Sequence, residues 1–273
     1  MKNKKQKYNL NTGTIPTWCP GCFNFQILAG FKSYLSEKIK TKKDAEKYAI
    51  VTGIGCHAKM FDYVNLNGLN SLHGRVLPTC LGIKTAEPEI NVFGFAGDGD
   101  AYSEGVSHLL HASRYNSNFT FIVHNNQVFA LTVGQPTATS EKGFTDKTTP
   151  KGVKNPAINP IKLMLSSGCG FIARVSADVN QIKKVLKEAE KYTGFKFIEV
   201  LQPCIIFHPD QKYGKRFYNL QEKGHDKSDW DKAMKKAQDF DYEKIDEKTK
   251  IPLEIFYQDN NKRKREGIFE ERV

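Results

Sequence analysis

Short apolar runs alternate with segments of helical periodicity along the first three quarters of the chain. Apolar positions recur at helical spacing over 23–40, 106–115 and 179–192, which predicts three helices. Compact apolar runs predict buried strands over 48–51, 90–95, 119–123, 171–175 and 195–201. Strands that alternate with helices indicate an α/β fold, in which a mostly parallel sheet carries helices on both faces.

The pattern divides the chain into three parts. Residues 1–17 are polar and basic and predict an N-terminal arm, and residues 18–210 carry the strand and helix alternation of an α/β domain. Residues 211–273 are dense in Lys, Asp and Glu with scattered apolar positions. We expect this last part, called the C-terminal extension below, to pack on the sheet or on a partner.

Composition narrows the class of protein. At 273 residues and 39% hydrophobic content the chain can bury a sizeable core. No apolar run is long enough for a membrane span, and none follows the basic N-terminus as a secretory signal would require. Six cysteines in such a chain favour a reducing cytoplasm, where spaced cysteines bind metal or perform redox chemistry.

The formal net charge of +11 leaves the partner open. Nucleic acid is one candidate, but the sequence has no helix-turn-helix, RNP or zinc-finger pattern, so we expect none. An acidic protein partner explains the charge, and so does a generally lysine-rich proteome.

Residues suited to phosphate and Mg²⁺ follow two predicted strands. Gly97-Asp98-Gly99-Asp100 forms a predicted tight turn after one strand, and Asn125-Asn126 follows the next. Glycines let the backbone approach an anion, while Asp98, Asn126 and the Val128 carbonyl offer the oxygen ligands that Mg²⁺ prefers. Ligands of parallel sheets bind outside the carboxyl ends of the strands, so these groups are expected at one edge.

Three alternatives for this glycine-aspartate segment are weaker than a phosphate and Mg²⁺ site. The simplest is a plain glycine turn with a solvated aspartate, which does not account for the Asn125-Asn126 pair after the next strand. An EF-hand fails because the twelfth position counted from Asp98 is Leu109, and a Walker A loop fails because no G-K-[ST] is present.

Four cysteines follow a polar arm or a predicted strand: Cys19, Cys22, Cys56 and Cys204. A thioredoxin-like site usually has a strand before its C-x-x-C, and structural zinc usually has two paired motifs. A [4Fe–4S] cluster tolerates scattered thiolates, so it is favoured over both alternatives. Cys80 and Cys169 lie in apolar or glycine-rich surroundings and are expected to pack as small hydrophobic residues.

Seven short motifs, taken in order, resemble the beta subunit of 2-oxoacid:ferredoxin oxidoreductases over roughly residues 14–210. They are Trp18-Cys19-Pro20-Gly21-Cys22, Gly53-Ile54-Gly55-Cys56, His73-Gly74-Arg75-Val76-Leu77-Pro78, Gly97-Asp98-Gly99-Asp100, Asn125-Asn126, Gly134-Gln135 and Gln202-Pro203-Cys204. The resemblance implies thiamine diphosphate on Mg²⁺, held by Asp98, Asn126 and the Val128 carbonyl. It also implies a [4Fe–4S] cluster on the four cysteines named above.

The resemblance also implies a wider set of site residues. Those expected to bind the cofactor are Gly55, Cys56, His57, His73, Gly97, Asp98, Gly99, Asp100, Asn126, Val128, Leu131 and Thr132. Lys59 and Arg75 are expected to serve catalysis by pairing with a substrate carboxylate or a diphosphate oxygen. His108 and His111 are expected to be packing or surface residues.

The implied activity is oxidative decarboxylation of a 2-oxoacid to acyl-CoA and CO₂, with electrons passing through the cluster to ferredoxin. The family's alpha subunit supplies the activating glutamate, so this chain is expected to act only with such a partner. A cluster-binding assembly or electron-transfer subunit without decarboxylase activity is the alternative. Four departures from the family pattern, at Phe23, Phe129, Ala130 and Val133, leave the substrate class open.

Overall fold

A computed structural model of the chain describes residues 7–211, 213–242 and 248–259. The first six residues of the predicted arm, and parts of the C-terminal extension, lie outside the described residues. Eight strands form one sheet in the order β2-β1-β3-β4-β8-β7-β10-β9, and β5 pairs with β6 separately. The strands are β1 (Tyr48–Thr52), β2 (Asn67–Asn70), β3 (Asn91–Gly97), β4 (Thr120–Asn125), β5 (Val128–Phe129), β6 (Gln135–Pro136), β7 (Phe171–Ser176), β8 (Lys196–Leu201), β9 (Phe217–Asn219) and β10 (Ile251–Gln258).

Helices cover both faces of this sheet. The α-helices are α1 (Asn24–Lys38), α2 (Lys42–Ala45), α3 (Met60–Tyr63), α4 (Val76–Ala86), α5 (Val106–Tyr115), α6 (Pro160–Ser166), α7 (Val179–Glu190) and α8 (Trp230–Ala237). Short 3₁₀ segments span Cys56–Lys59, Gly214–Arg216 and Gln221–Lys223, and a π-helical segment spans Gly99–Glu104. One apolar layer joins the sheet to α1 and α7, and a second joins it to α4, α5, α6 and α8. The predicted α/β class is therefore confirmed.

The parallel strands align their carboxyl ends. Strand β1 pairs in parallel with β3, β3 with β4, and β4 with β8. Residues that follow these four strands therefore lie along one edge of the sheet, as the sequence predicts.

Several elements differ from the sequence prediction. The sequence did not predict strand β2 or helix α4; all four residues of β2 are exposed and the strand lies at the sheet margin, so it lacks an apolar signal. The C-terminal extension contributes β9 and β10 to the main sheet, with β10 antiparallel to β7. The division into three parts remains a prediction.

A buried ion pair lies in the middle of the sheet. Arg174 on β7 and Glu199 on β8 are register partners, both fully buried, with 2.6 Å between Arg174 Nε and Glu199 Oε2. The rings of Phe240, Tyr242 and Phe256 surround the Arg174 guanidinium at 5.1–5.8 Å. Two of these rings precede β10 and one lies on it, so the C-terminal extension encloses this pair.

No helix in the described ranges is long and apolar enough to cross a bilayer.

Candidate functional site

Asp98 lies at the carboxyl end of β3, almost completely buried. The hydroxyls of Thr137 and Thr139 donate to Asp98 Oδ2, the second over 3.1 Å, and the Asn126 backbone N–H donates to Oδ1 over 3.4 Å. Burial raises the pKa of Asp98 to about 6, although these hydrogen bonds oppose the rise. A divalent cation at this carboxylate would favour its charged form.

The prediction of a tight turn over residues 97–100 is wrong. The chain instead enters the π-helical segment Gly99–Glu104, a wide turn of a kind that often occurs at functional sites. This shape lets both Asp98 and Asp100 line the same cleft.

Asp100 is held by the segment around His73. The Gly74 backbone N–H donates to Asp100 Oδ1 over 2.6 Å. His57 Nε2 lies 3.2 Å from Oδ2, and His73 Nδ1 lies 3.3 Å from Oδ1. Neither imidazole nitrogen has hydrogen-bond geometry to Asp100, so both remain without a hydrogen-bond partner among the described residues. The cleft therefore presents buried polar atoms that a polar ligand could satisfy.

The two asparagines after β4 have different surroundings. Asn125 points into the protein: its amide nitrogen donates to Glu199 over 2.7 Å and to the Tyr242 hydroxyl over 3.0 Å. Asn126 faces the cleft, and its amide oxygen accepts from the Val128 N–H over 3.1 Å. The second lone pair of the Asn126 amide oxygen can still serve as a metal ligand beside Asp98, while Asn125 anchors the turn.

All twelve residues predicted to bind the cofactor line one cleft with about 490 Å³ of empty space, called the aspartate cleft below. Five further residues line it, namely Ile54, His124, Phe129, Ala130 and Gln202. His124 was missed because it directly follows the apolar run 119–123 within β4 and belongs to no motif. Burial and the nearby His57 hold the pKa of His124 well below its usual value, so it is a neutral imidazole.

Close approach explains a glycine beside this cleft. A Cβ on Gly99 would lie 2.1 Å from the Phe129 ring. Phe129, one of the departures from the family pattern, therefore packs against the backbone of the glycine-aspartate segment.

The four predicted cluster cysteines line a second cavity, called the cysteine cavity below, which together with its open mouth has about 730 Å³ of empty space. The Trp18 indole N–H donates to the Cys56 carbonyl over 2.7 Å and ties the C-x-x-C loop to the segment after β1. The Phe207 N–H donates to Cys204 Sγ over 3.4 Å. Separate chain segments thus bring their thiols to one place.

The thiols influence one another. Burial raises the pKa of Cys56 to about 11, Cys22 adds to the rise, and Lys59 opposes it. Burial also raises the pKa of Cys22, with contributions from Cys19 and Cys204. No three His, Cys, Asp or Glu side chains in the described ranges are arranged to hold a single metal ion. Cys80 and Cys169 are buried elsewhere in the core.

Lys59 and Arg75 lie outside the aspartate cleft. Lys59 lines the cysteine cavity, and its ammonium donates to the Thr17 carbonyl over 3.1 Å. Arg75 is exposed, lines neither cavity, and its guanidinium is 3.0 Å from His108 Nε2. The catalytic role of both residues stays a prediction, and His108 is a surface contact of Arg75.

Comparison with known proteins gives two family matches. Residues 53–200 match the C-terminal TPP-binding domain of thiamine pyrophosphate enzymes, and residues 210–272 match the C-terminal part of the pyruvate ferredoxin oxidoreductase beta subunit.

Curated relatives cover most of the chain. The 2-oxoacid:ferredoxin oxidoreductase subunit beta of Saccharolobus solfataricus is 40% identical over 254 residues, which are 88% of this chain and 81% of that protein. The 2-oxoglutarate synthase subunit KorB of Archaeoglobus fulgidus is 36% identical over 206 residues, 75% of each chain.

A solved structure has the same fold. The 2-oxoglutarate:ferredoxin oxidoreductase from Magnetococcus marinus, with 2-oxoglutarate, coenzyme A and succinyl-CoA bound, superposes with a TM-score of 0.87 at 30% identity. The match covers all of this chain and 91% of that one.

Proposed function

The chain belongs to the family of 2-oxoacid:ferredoxin oxidoreductase beta subunits, and from this premise we propose that it holds thiamine diphosphate on Mg²⁺ in the aspartate cleft and a [4Fe–4S] cluster in the cysteine cavity. When bound, thiamine diphosphate supplies the nucleophilic carbon for 2-oxoacid decarboxylation, and the cluster supplies a one-electron acceptor.

The aspartate cleft suits a cation-bridged diphosphate. Asp98 and the Asn126 amide oxygen are neighbouring hard ligands, and the Val128 carbonyl follows two residues later. The raised pKa of Asp98 reflects a buried carboxylate that lacks a counter-charge, which Mg²⁺ would provide. The imidazoles of His57 and His73, which lie beside the Asp100 carboxylate, also line this cleft.

The cysteine cavity suits a cluster more than a single ion. A four-iron cluster is larger than one Zn²⁺, so its thiolates surround a cavity instead of converging on a point. The raised pKa values of Cys22 and Cys56 mean that empty thiols stay protonated, and cluster binding would release those protons.

One observation carries the proposal: the two cavities share a wall. Five residues line both of them, namely Cys56, Asn126, Ala130, Leu131 and Gln202. Cys56 and Asn126 are a proposed cluster ligand and a proposed Mg²⁺ ligand. A cofactor held in one cavity and an electron acceptor held in the other would therefore be separated by one layer of residues.

Exposed aliphatic residues around this shared wall mark the proposed docking face of an alpha subunit. They are Ile54, Leu131, Val133 and Ile206, each 41–64% exposed. Each lines one or both cavities, so a partner that covers them also closes the cofactor site. Such a partner would supply the glutamate that this chain is expected to lack, and it would share in substrate selection.

The test is a binding and turnover assay on the chain purified without oxygen together with its alpha subunit. We expect bound thiamine diphosphate, and CoA-dependent reduction of ferredoxin with one or more of pyruvate, 2-oxoglutarate and branched-chain 2-oxoacids. A complex that holds the cluster but retains no thiamine diphosphate and oxidises none of these acids would contradict the proposal and favour the assembly or electron-transfer role.

A further inference from the structure

Gln127 stands between the two proposed Mg²⁺ ligands Asn126 and Val128 and is completely buried. Its φ of 60° lies in the left-handed region, which is unfavourable for a residue with a side chain. Its backbone N–H donates to the Asn125 amide oxygen over 3.2 Å, and its carbonyl accepts from the Ser140 hydroxyl. The surroundings therefore hold the backbone of the ligand turn in an uncommon shape.

The side-chain amide of Gln127 has a full set of hydrogen bonds. Its nitrogen donates to the Thr139 carbonyl over 2.6 Å and to Glu141 Oε2 over 3.2 Å. Its oxygen accepts from the Gln211 amide and from the Tyr213 hydroxyl, the latter over 2.7 Å. All four hydrogen-bonding positions of a carboxamide are occupied, so the group has one orientation.

Three of these contacts lead to the segment that carries Cys204. Gln211 and Tyr213 bond Gln127 directly. The third contact, Glu141, leads to His208, because Glu141 Oε1 lies 2.8 Å from His208 Nε2. The His208 backbone N–H in turn donates to the Cys204 carbonyl over 2.9 Å.

We propose that Gln127 is a positioning residue that couples the cysteine cavity to the aspartate cleft. Fixing Cys204 on a cluster restrains the segment that follows it, and Gln127 passes this restraint to the turn bearing Asn126 and Val128. The cluster and Mg²⁺–thiamine diphosphate then bind with positive cooperativity, each favouring the other by the same factor. This inference rests on the proposed function, since it assigns the two cavities to those groups.

The wild-type complex of the full chain with its alpha subunit provides the first test. Thiamine diphosphate is titrated calorimetrically at saturating Mg²⁺, once with the cluster present and once after anaerobic iron chelation. We expect roughly fivefold or greater weakening of thiamine diphosphate binding after cluster removal. We also expect faster amide hydrogen exchange at residues 126–128 when the cluster is absent.

Variants then test whether the coupling between the two cavities depends on Gln127. Gln127→Leu removes every side-chain hydrogen bond but can fail to fold, so Tyr213→Phe, which deletes one hydroxyl, is the milder change. Tyr218→Phe is the matched control, because the Tyr218 hydroxyl bonds Asp239 and contacts neither cavity. The measured quantity is the ratio of thiamine diphosphate affinities with and without the cluster. We expect Tyr213→Phe to lower this ratio to below about twofold and Tyr218→Phe to keep the wild-type ratio.

The outcomes separate this inference from the proposed function. A purely structural role for Tyr213 would weaken binding equally in both states and leave the ratio unchanged, which overturns the coupling through Gln127. Equal affinity of the wild type with and without the cluster overturns it as well, while the proposed function stands. A complex that binds no thiamine diphosphate in either state overturns both.

Discussion

The Asp100 carboxylate fills the space beside the α-carbon of Gly53. A Cβ placed on Gly53 would lie 1.8 Å from Asp100 Oδ2 and 2.7 Å from its Cγ. Any other residue at position 53 must therefore displace Asp100 from its place near His57 and His73. A glycine at the end of one strand thus sets the position of an acidic group that follows another.

The first prediction follows from this contact. Gly53→Ala is expected to weaken thiamine diphosphate binding at least about tenfold, because a shift of about 1 Å in a site can have this effect or more. Gly82→Ala is the matched control: a Cβ there meets no atom within 4 Å, and an alanine inside α4 should stabilise the fold by roughly 0.5–1 kcal/mol. Calorimetry measures thiamine diphosphate binding, and urea titration measures the free energy of unfolding. Equal affinities in the two variants would contradict the contact's importance.

The second prediction concerns the proposed Mg²⁺ ligand. Asp98→Ala should reduce thiamine diphosphate affinity by several kcal/mol, because the diphosphate loses its metal bridge, while the absorbance of the cluster is retained. Asp62→Ala, at an exposed aspartate, should bind like the wild type. Unchanged binding by Asp98→Ala would exclude Asp98 as the ligand.

The third prediction is the pH dependence of the cofactor-free chain. Burial raises the pKa of Asp98 from 3.8 to about 6, so folding favours its protonated form. That stabilisation is fully present below about pH 4 and is lost as the pH rises through about 6, which amounts to about 3 kcal/mol. Asp98→Asn stays neutral throughout. In urea unfolding it should exceed the wild type in stability by about 2–3 kcal/mol at pH 8, and most of this difference should vanish at pH 4. A difference that does not change with pH would show that Asp98 is not the cause.

The fourth prediction assigns the cluster ligands. Anaerobic protein should contain about four irons per chain with acid-labile sulfide and a broad brown absorbance. Alanine at any one of Cys19, Cys22, Cys56 or Cys204 should lower the iron content by more than about half. Cys80→Ala should keep it, because Cys80 is buried away from the cysteine cavity. Stoichiometric zinc without iron or sulfide would refute the assignment.

The fifth prediction concerns association with ferredoxin. The net charge of +11 should steer an acidic ferredoxin towards the complex, and this attraction weakens as the Debye length falls from about 10 Å at 0.1 M salt to about 3 Å at 1 M. Ferredoxin reduction at limiting ferredoxin should slow with added salt, whereas the rate at saturating ferredoxin changes little. A salt-independent rate under limiting conditions would leave the lysines as ordinary solvated surface.

Elements with a strong local signal could be predicted from the sequence. The apolar runs of β1, β3, β4, β7 and β8 identify buried parallel strands, and the family resemblance supplies the twelve predicted residues that line the aspartate cleft. Strand β2 is exposed at the sheet margin and carries no apolar signal. Strand β10 is apolar, but it stands within a charged segment far along the chain, so its apolar positions indicate scattered packing positions and not a strand.

The rest of the site depends on contacts that have no sequence signature. Thr137 and Thr139 bond Asp98 from a loop about forty residues away, and Gln127 looks like an ordinary polar residue after an asparagine pair. Lys59 lies in a segment that matches the family pattern, but the structure places it in the cysteine cavity and not in the aspartate cleft. Motifs locate the proposed ligands, whereas the residues that position these side chains are found only from three-dimensional contacts.

The late position of β10 in the chain has a consequence for synthesis. Until residues 251–258 leave the ribosome, β7 is a sheet margin with open backbone groups, and Arg174 lacks the ring of Phe256. The nascent chain therefore already contains the glycine, aspartate and cysteine segments before β10 pairs with β7. Loading of either cavity before that point would use an incompletely folded protein, so cofactor insertion is expected to follow the pairing of β10 with β7.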